Sequence, residues 1–173
     1  QAHLRHPILD PIIVFITTLG NAGILWIGLT ILLAVRKSTR KTAVALAVAL
    51  GLCLLWENLL LKPLIGRIRP FNVQDAITLL ITAPLDYSFP SGHTMSSFAA
   101  AMVLLLTDRR MGIPAMLLAG LIAFSRMYLY VHYPTDVLAG LLMGCLFGWL
   151  AVRIVQKLHA RRFQRNQQEK PHS

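Results

Sequence analysis

The sequence predicts an all-α protein, an integral membrane helical bundle of about five transmembrane helices with its N-terminus outside and its C-terminus inside. Three observations carry that expectation. Hydrophobic residues make up 55% of the 173 residues and charged residues only 14%, against roughly a quarter in an average soluble protein. The mean hydropathy is +0.60. The charges gather between long apolar runs instead of spreading along them. A disordered chain, which would be polar, is excluded. So is a disulfide-stapled domain, because only Cys53 and Cys145 are present. Both cysteines stand inside apolar runs without ligand spacing and read as small buried hydrophobes.

The elements follow in order. Residues 12–35 carry no charge over 24 positions. That is about 36 Å of helix, enough to cross a hydrocarbon core of about 30 Å with some tilt. The run is too long for a signal peptide, and Arg36-Lys37 follows it rather than preceding it. Residues 42–61 are a second span, broken only by Glu57-Asn58. Residues 91–107, short and rich in small side chains, are a third. Residues 112–130, with Arg126 near the end, are a fourth, and residues 135–152 a fifth. Residues 1–11, with Pro7 and Pro11, read as an interfacial lead-in. One membrane-embedded domain then covers 1–157, and 158–173 form a basic cytoplasmic tail that frays toward its end. The longest connection, 71–89, contains an apolar run from Ala76 to Ile81 that suits the membrane interface. No internal repeat is present.

The formal net charge of +10 does not indicate a nucleic-acid partner. Such a protein concentrates charge on a wet face, and much of this chain has none. Here the basic residues fall in connections. Arg36, Lys37, Arg40, Lys41, Arg109, Arg110, Arg153, Lys157, Arg161, Arg162, Arg165 and Lys170 lie on one side, 12 of the 17. Arg5, Lys62, Arg67, Arg69 and Arg126 lie on the other. The positive-inside rule makes the first side cytoplasmic. Three polar segments, 62–70, 90–93 and 125–136, then share the outer side.

Those segments hold the candidate chemistry. Lys62 and Arg69 are seven apart and share a face on a continuous helix, which Pro63 can kink and Pro70 ends. With Arg126 they are either snorkelling anchors or an anion site. Arg67 reads as an anchor. Pro90-Ser91-Gly92-His93 opens a helical run. Free N–H groups there, with Gly92 allowing close approach and Ser91 a hydroxyl, suit a phosphate; a plain Ser cap is the simpler alternative. His93 at a membrane boundary needs a partner or a task. His132 precedes Pro134, which suits a first helical turn, and Asp136 lies just inside. Asp136 at that spacing can fix the tautomer of His132, or equally complement the helix dipole. Two histidines and an aspartate could ligate zinc. Three nearby cations would repel a divalent metal and welcome a phosphoryl group, so no metal or cofactor is assigned. Glu57, beside Trp56, either pairs with a cradle cation or reaches the interface. Together these groups meet the demands of phosphoryl transfer, which needs fixed cations, N–H donors, a nucleophile and a general acid.

The order Lys62-x6-Arg69-Pro70, Pro90-Ser91-Gly92-His93, Ser125-Arg126-x5-His132-x3-Asp136 resembles the tripartite signature of the type 2 phosphatidic acid phosphatase superfamily. Every signature position is filled. The resemblance implies His132 as nucleophile of a phosphohistidine, Asp136 as its partner, and His93 as the acid for the leaving oxygen. It implies Lys62, Arg69, Ser91, Gly92 and Arg126 as the phosphate cradle, and no metal. A typical bacterial relative has six spans where five are counted here. The expected activity is hydrolysis of a lipid phosphate or diphosphate such as undecaprenyl diphosphate, phosphatidic acid, phosphatidylglycerol phosphate or lipid A. The alternatives are a lipid phosphotransferase using the same phosphohistidine and a non-enzymatic anion-binding membrane protein. The expected partners are the lipid substrate and the bilayer.

Overall fold

The computed structural model describes residues 6–73 and 78–168. Among them every regular element is helical. Two short helices, α1 (Leu9–Leu19) and α2 (Ile24–Val35), lead into α3 (Arg40–Leu55). A π-helical stretch, Trp56–Leu61, and one further turn, α4 (Lys62–Ile65), continue α3 outward. After a long connection come α5 (Gly92–Thr107), α6 (Arg109–Tyr128) and α7 (Pro134–Gln168). Three helical stretches, Arg40–Asn72, Arg109–Tyr128 and Pro134–Arg162, are long and apolar enough to cross a membrane, and the bent pair α1–α2 counts as a fourth where its two helices are taken as one broken span. At 16 residues, α5 is shorter than a usual span.

Three expectations change. The first apolar run is not one straight helix: it bends by 44° between α1 and α2. Ala22 and Gly23 take positive φ angles of 48° and 66° there, which no α-helix can absorb. Lys62 and Arg69 do not share a continuous helix. The chain leaves helix at Gly66 in the left-handed region, φ 58°, and Arg69 is extended. The lead-in ends at Ile8, because Pro11 sits in the first turn of α1, where its missing N–H costs nothing. The expected fraying at the end of the basic tail falls on 169–173, outside the described residues. With no proline between Pro134 and Gln168, α7 runs on through the Arg- and Gln-rich segment to Gln168. Arg5 and Lys170 of the charge tally lie outside the described residues, as do Ala76 and Ile77. Of the rest of that apolar run, Leu79, Leu80 and Ile81 pack on a small second core of Ile13, Leu129 and Val131.

The main core lies on α5. Met95, Ala99, Ala100, Ala101 and Val103 are fully buried, between α3, α6 and α7. The buried Trp26 indole donates to Ser97 Oγ at 3.0 Å and ties α2 to the same helix. Cys53 is buried and Cys145 half-buried. The outer faces carry exposed Phe15, Leu117, Leu142 and Trp149, the arrangement of a bundle whose solvent is hydrocarbon.

The α5–α7 contact is the closest. Gly140, Gly144 and Gly148 recur every fourth residue on one face of α7. A Cβ at Gly140 would stand 2.7 Å from the Ser91 carbonyl oxygen, and one at Gly148 would stand 2.5 Å from that of Ala99. A Cβ at Gly144 would overlap the Met95 carbonyl. Small residues let two backbones approach in a medium where helices gain no hydrophobic drive to associate. Gly120 of α6, by contrast, faces open space. Gly144→Ala should therefore destabilise the protein by about 1–3 kcal/mol, whereas Gly120→Ala should be neutral or stabilising by up to about 1 kcal/mol. Thermal unfolding in detergent checks the pair; equal effects at the two positions would refute the packing assignment.

Candidate active site

The glycine contact sets α5 and α7 in register at their N-termini. The Ser91 amide donates to the Asp136 carbonyl at 3.1 Å, so the two helix starts and their side chains meet. Lys62, Arg69, Gly92, His93, Arg126 and His132 line one cavity of about 880 Å³. Ser91 and Asp136 are fully buried next to lining residues, Ser91 preceding Gly92 and Asp136 lying 3.6 Å from His132. All eight candidate residues are thus brought together from α4, the following loop, α5, α6 and α7.

Asp136 is held from several sides. Its Oδ1 accepts from Arg67 Nη1 at 2.7 Å, and its Oδ2 accepts from the Tyr133 amide at 2.9 Å and from the Ser88 hydroxyl. His132 Nδ1 stands 3.6 Å from Oδ2, just outside hydrogen-bond range, and has no partner among the described residues. The other ring nitrogen, Nε2, lies 3.2 Å from Arg69 Nη1. A guanidinium only donates, so Nε2 must be the bare nitrogen and Nδ1 must carry the proton, on the Asp136 side. Burial holds the His132 imidazole well below its usual range, at about 4. Asp136 opposes that shift, and Arg69 and Arg126 add to it. The ring is therefore neutral at physiological pH with a free lone pair at Nε2.

The cations are fixed with equal care. Arg69 is 4% exposed. It donates to the Asp86 carbonyl at 2.8 Å, the Val131 carbonyl at 2.8 Å and Asp86 Oδ1 at 2.6 Å. Lys62 bridges the carboxylates of Glu57 and Asp86. Burial alone would raise the Asp86 carboxyl, but Lys62 and Arg69 outweigh it and hold the group at about 2. Arg126 donates to Thr17 Oγ1 at 2.7 Å, and its Nε has no partner among the described residues. His93 Nε2 pairs with Asn21 Oδ1 at 2.9 Å. Gly92 lets the Glu57 carboxylate lie against its backbone, and a Cβ there would force that carboxylate to move.

Several of these groups escaped the sequence reading. Arg67, read as an anchor, binds Asp136 and Thr135 Oγ1 and lies 4.0 Å over the Tyr133 ring. Glu57, left between two alternatives, pairs with a cradle cation. Asp86, Ser88, Asn21 and Thr17 were not singled out. The one local signal was available at Ser88 and Asp86, which lie just upstream of Pro90-Ser91-Gly92-His93. Among the described residues no three His, Cys, Asp or Glu side chains are arranged to share a metal ion. The arrangement offers a neutral imidazole, a second histidine across the cavity, three buried cations and a helix N-terminus. These are the parts needed to bind a phosphoryl group and receive it on nitrogen.

Comparison with known proteins agrees in sequence and in fold. The model of the PAP2 superfamily matches residues 40–160, well over half of the chain. An undecaprenyl-diphosphatase of Sulfolobus acidocaldarius is 36% identical over 147 residues, covering 84% of this chain and 70% of that protein. The crystal structure of Aquifex aeolicus LpxE superposes with a TM-score of 0.77 at 31% identity, over 87% of this chain and 89% of the other. A transmembrane PAP2-type phosphatidylglycerolphosphate phosphatase from Bacillus subtilis superposes with a TM-score of 0.72 at 28% identity, over 89% and 80%.

Proposed function

The chain belongs to the PAP2 superfamily, and from that premise we propose that it is a membrane phosphatase that hydrolyses a lipid phosphate or diphosphate through a phosphohistidine at His132. The observation that carries this reading is a single cavity with two characters. Its polar end holds Lys62, Arg69, Arg126, His93 and His132; its other arm runs between α2 and α3 past Gly23, Ile27, Leu50, Gly51 and Leu54. A phosphate on a long apolar tail fills both ends, whereas a free sugar phosphate leaves the apolar arm without a partner. The relatives named for undecaprenyl diphosphate and phosphatidylglycerolphosphate support the same substrate class.

In the proposed reaction the phosphoryl group sits among Lys62, Arg69, Arg126 and the N–H groups at the start of α5, with the Ser91 hydroxyl close by. His132 Nε2 attacks phosphorus as the bond to the leaving oxygen breaks. His93 gives that oxygen its proton. Asp136 keeps the proton of His132 on Nδ1 and stabilises the positive charge that the ring acquires. Water then attacks the phosphohistidine, gives its proton to His93, and leaves inorganic phosphate and a restored His132. None of these steps uses a metal.

In the membrane, the reading has five spans: the bent pair α1–α2, α3 with its continuation to Ile65, α5, α6 and α7. The single domain covers 1–157, and 158–173 form its basic cytoplasmic extension. The site faces the extracytoplasmic side, with the N-terminus outside and the C-terminus inside. The support is the 12 to 5 division of the basic residues. Asn72→Cys and Lys37→Cys, each in a chain lacking Cys53 and Cys145, test it. An impermeant thiol reagent added outside intact cells should label the first and spare the second; the reverse pattern would overturn the orientation.

Activity in detergent tests the chemistry. With a chelator present and no acceptor alcohol, the protein should release inorganic phosphate from an alkyl lipid phosphate and from an aryl phosphate, and orthovanadate should block both. His132→Ala should abolish both activities. His93→Ala should lower the alkyl rate by about 10²–10⁴-fold and the aryl rate far less, since an aryl oxide leaves without a proton. Equal losses on the two substrates, with the first chemical step rate-limiting, would remove His93 from the acid role. Activity that needs an added divalent ion would contradict the mechanism.

A further inference from the structure

The end of the bundle opposite the active site holds a second recess, of about 850 Å³. It exists because α7 outruns its neighbours. α5 stops at Thr107 and α3 starts at Arg40, while α7 continues to Gln168 and stands as a wall above both ends. The inner lining is apolar and buried, from Ala45, Val152 and Val155. The rim is exposed and basic, from Lys41, His159 and Arg162. No acidic residue lines it, and among the described residues no acid pairs with any of the three. Asp108, next in sequence to the lining Thr107, is engaged in capping α6 through the Arg110 amide at 2.9 Å.

The start of α3 adds positive charge at the same place. Its N-cap residue, Thr39, turns its hydroxyl to the Leu33 carbonyl at 2.7 Å and makes no capping bond. The first turn contains no acid and begins with Arg40 and Lys41, two cations at the positive end of the helix dipole. Arg40 reaches back to the Ala34 carbonyl at 3.1 Å, which leaves Lys41 beside the recess. Uncapped N–H groups and unpaired cations around an apolar floor are complementary to an anion that carries hydrocarbon. The position fits as well. The 16 residues of α5 separate this end from the active site by about 24 Å along the helix, most of the roughly 30 Å of a hydrocarbon core. Beside the recess Val44, Ile154 and Leu158 are exposed, an apolar track for acyl chains.

We propose that this recess binds the phosphate headgroup of an anionic glycerophospholipid from the leaflet opposite the active site, through Lys41, Arg162 and the N-terminus of α3. His159 lies on the rim as a third basic contact. Because the lipid touches α3, α5 and α7 together, it stabilises the folded bundle and raises its unfolding temperature.

The test is thermal unfolding of the detergent-solubilised protein titrated with phosphatidylglycerol or phosphatidylcholine, with orthovanadate present throughout to block the catalytic cradle. Phosphatidylglycerol should raise the unfolding temperature saturably and phosphatidylcholine should not. K41Q/R162Q, which changes two exposed side chains, should weaken the apparent affinity by about 25-fold, at about fivefold per cation. Arg36→Gln/Lys37→Gln, an equal loss of charge in the neighbouring loop, should leave it within about twofold on the same scale. Ala160→Trp, which narrows the recess and keeps every charge, should weaken it too. Equal weakening by the two double variants would reduce the effect to general surface charge and overturn the proposal. So would an equal response to phosphatidylcholine, or the same shift from inorganic phosphate alone.

Discussion

The backbone contact between α5 and α7 is the constraint on which the rest depends. Gly140, Gly144 and Gly148 bring the carbonyls of Ser91, Met95 and Ala99 to a distance that no side chain allows. Once these helices lie together, their N-termini are level, and the Ser91 amide closes on the Asp136 carbonyl. Two sequence segments far apart in the chain then become two walls of one cavity. In a bilayer this kind of contact does what a hydrophobic core does in water, because lipid tails compete with apolar side chains on equal terms. The glycines that would weaken an isolated helix are, on α7, what positions the chemistry.

Burying cations at the mouth of such a bundle costs several kcal/mol per ion unless partners are supplied. The structure supplies them from outside the signature. Glu57 and Asp86 answer Lys62, and Asp86 and three carbonyls answer Arg69. These cations are therefore held in place by carboxylates, and in the proposed reaction phosphate oxygens of the same sign take over from them. Asp86 is the most available partner for that exchange, with half of its side chain exposed. The neutral His132, depressed to about 4 mainly by burial, fits the same design: desolvation disfavours a second proton on the ring, and Arg69 and Arg126 add to that effect.

The signature side chains and the apolar runs were legible because both are local patterns. The partners were not, because they are contacts between elements. Asn21 reaches His93 and Thr17 reaches Arg126 because the chain bends between α1 and α2; Gly20, Asn21 and Gly23 are turn-forming residues, but the uncharged run through them reads as one span. Glu57 and Lys62 show the point within one element. Residues five apart on an α-helix differ by about 140° in direction, so they do not read as a pair. The π-helical stretch Trp56–Leu61, with its wider turn, brings them onto one side and lets the ion pair form. Arg67 was misread for a related reason. Two residues from Arg69 and in the same basic cluster, it differs from a snorkelling anchor only through the tertiary position of Asp136.

The account rests most heavily on His132 as the residue that carries the phosphoryl group. Its direct test is a single-turnover reaction with a substrate labelled on phosphate, quenched in denaturing alkali during the first turnover, with the labelled residue located by mass spectrometry. The account predicts label on the His132 imidazole at early times, decaying as inorganic phosphate appears. Label on His93 would contradict it. So would phosphate release through the whole turnover with no label on the protein.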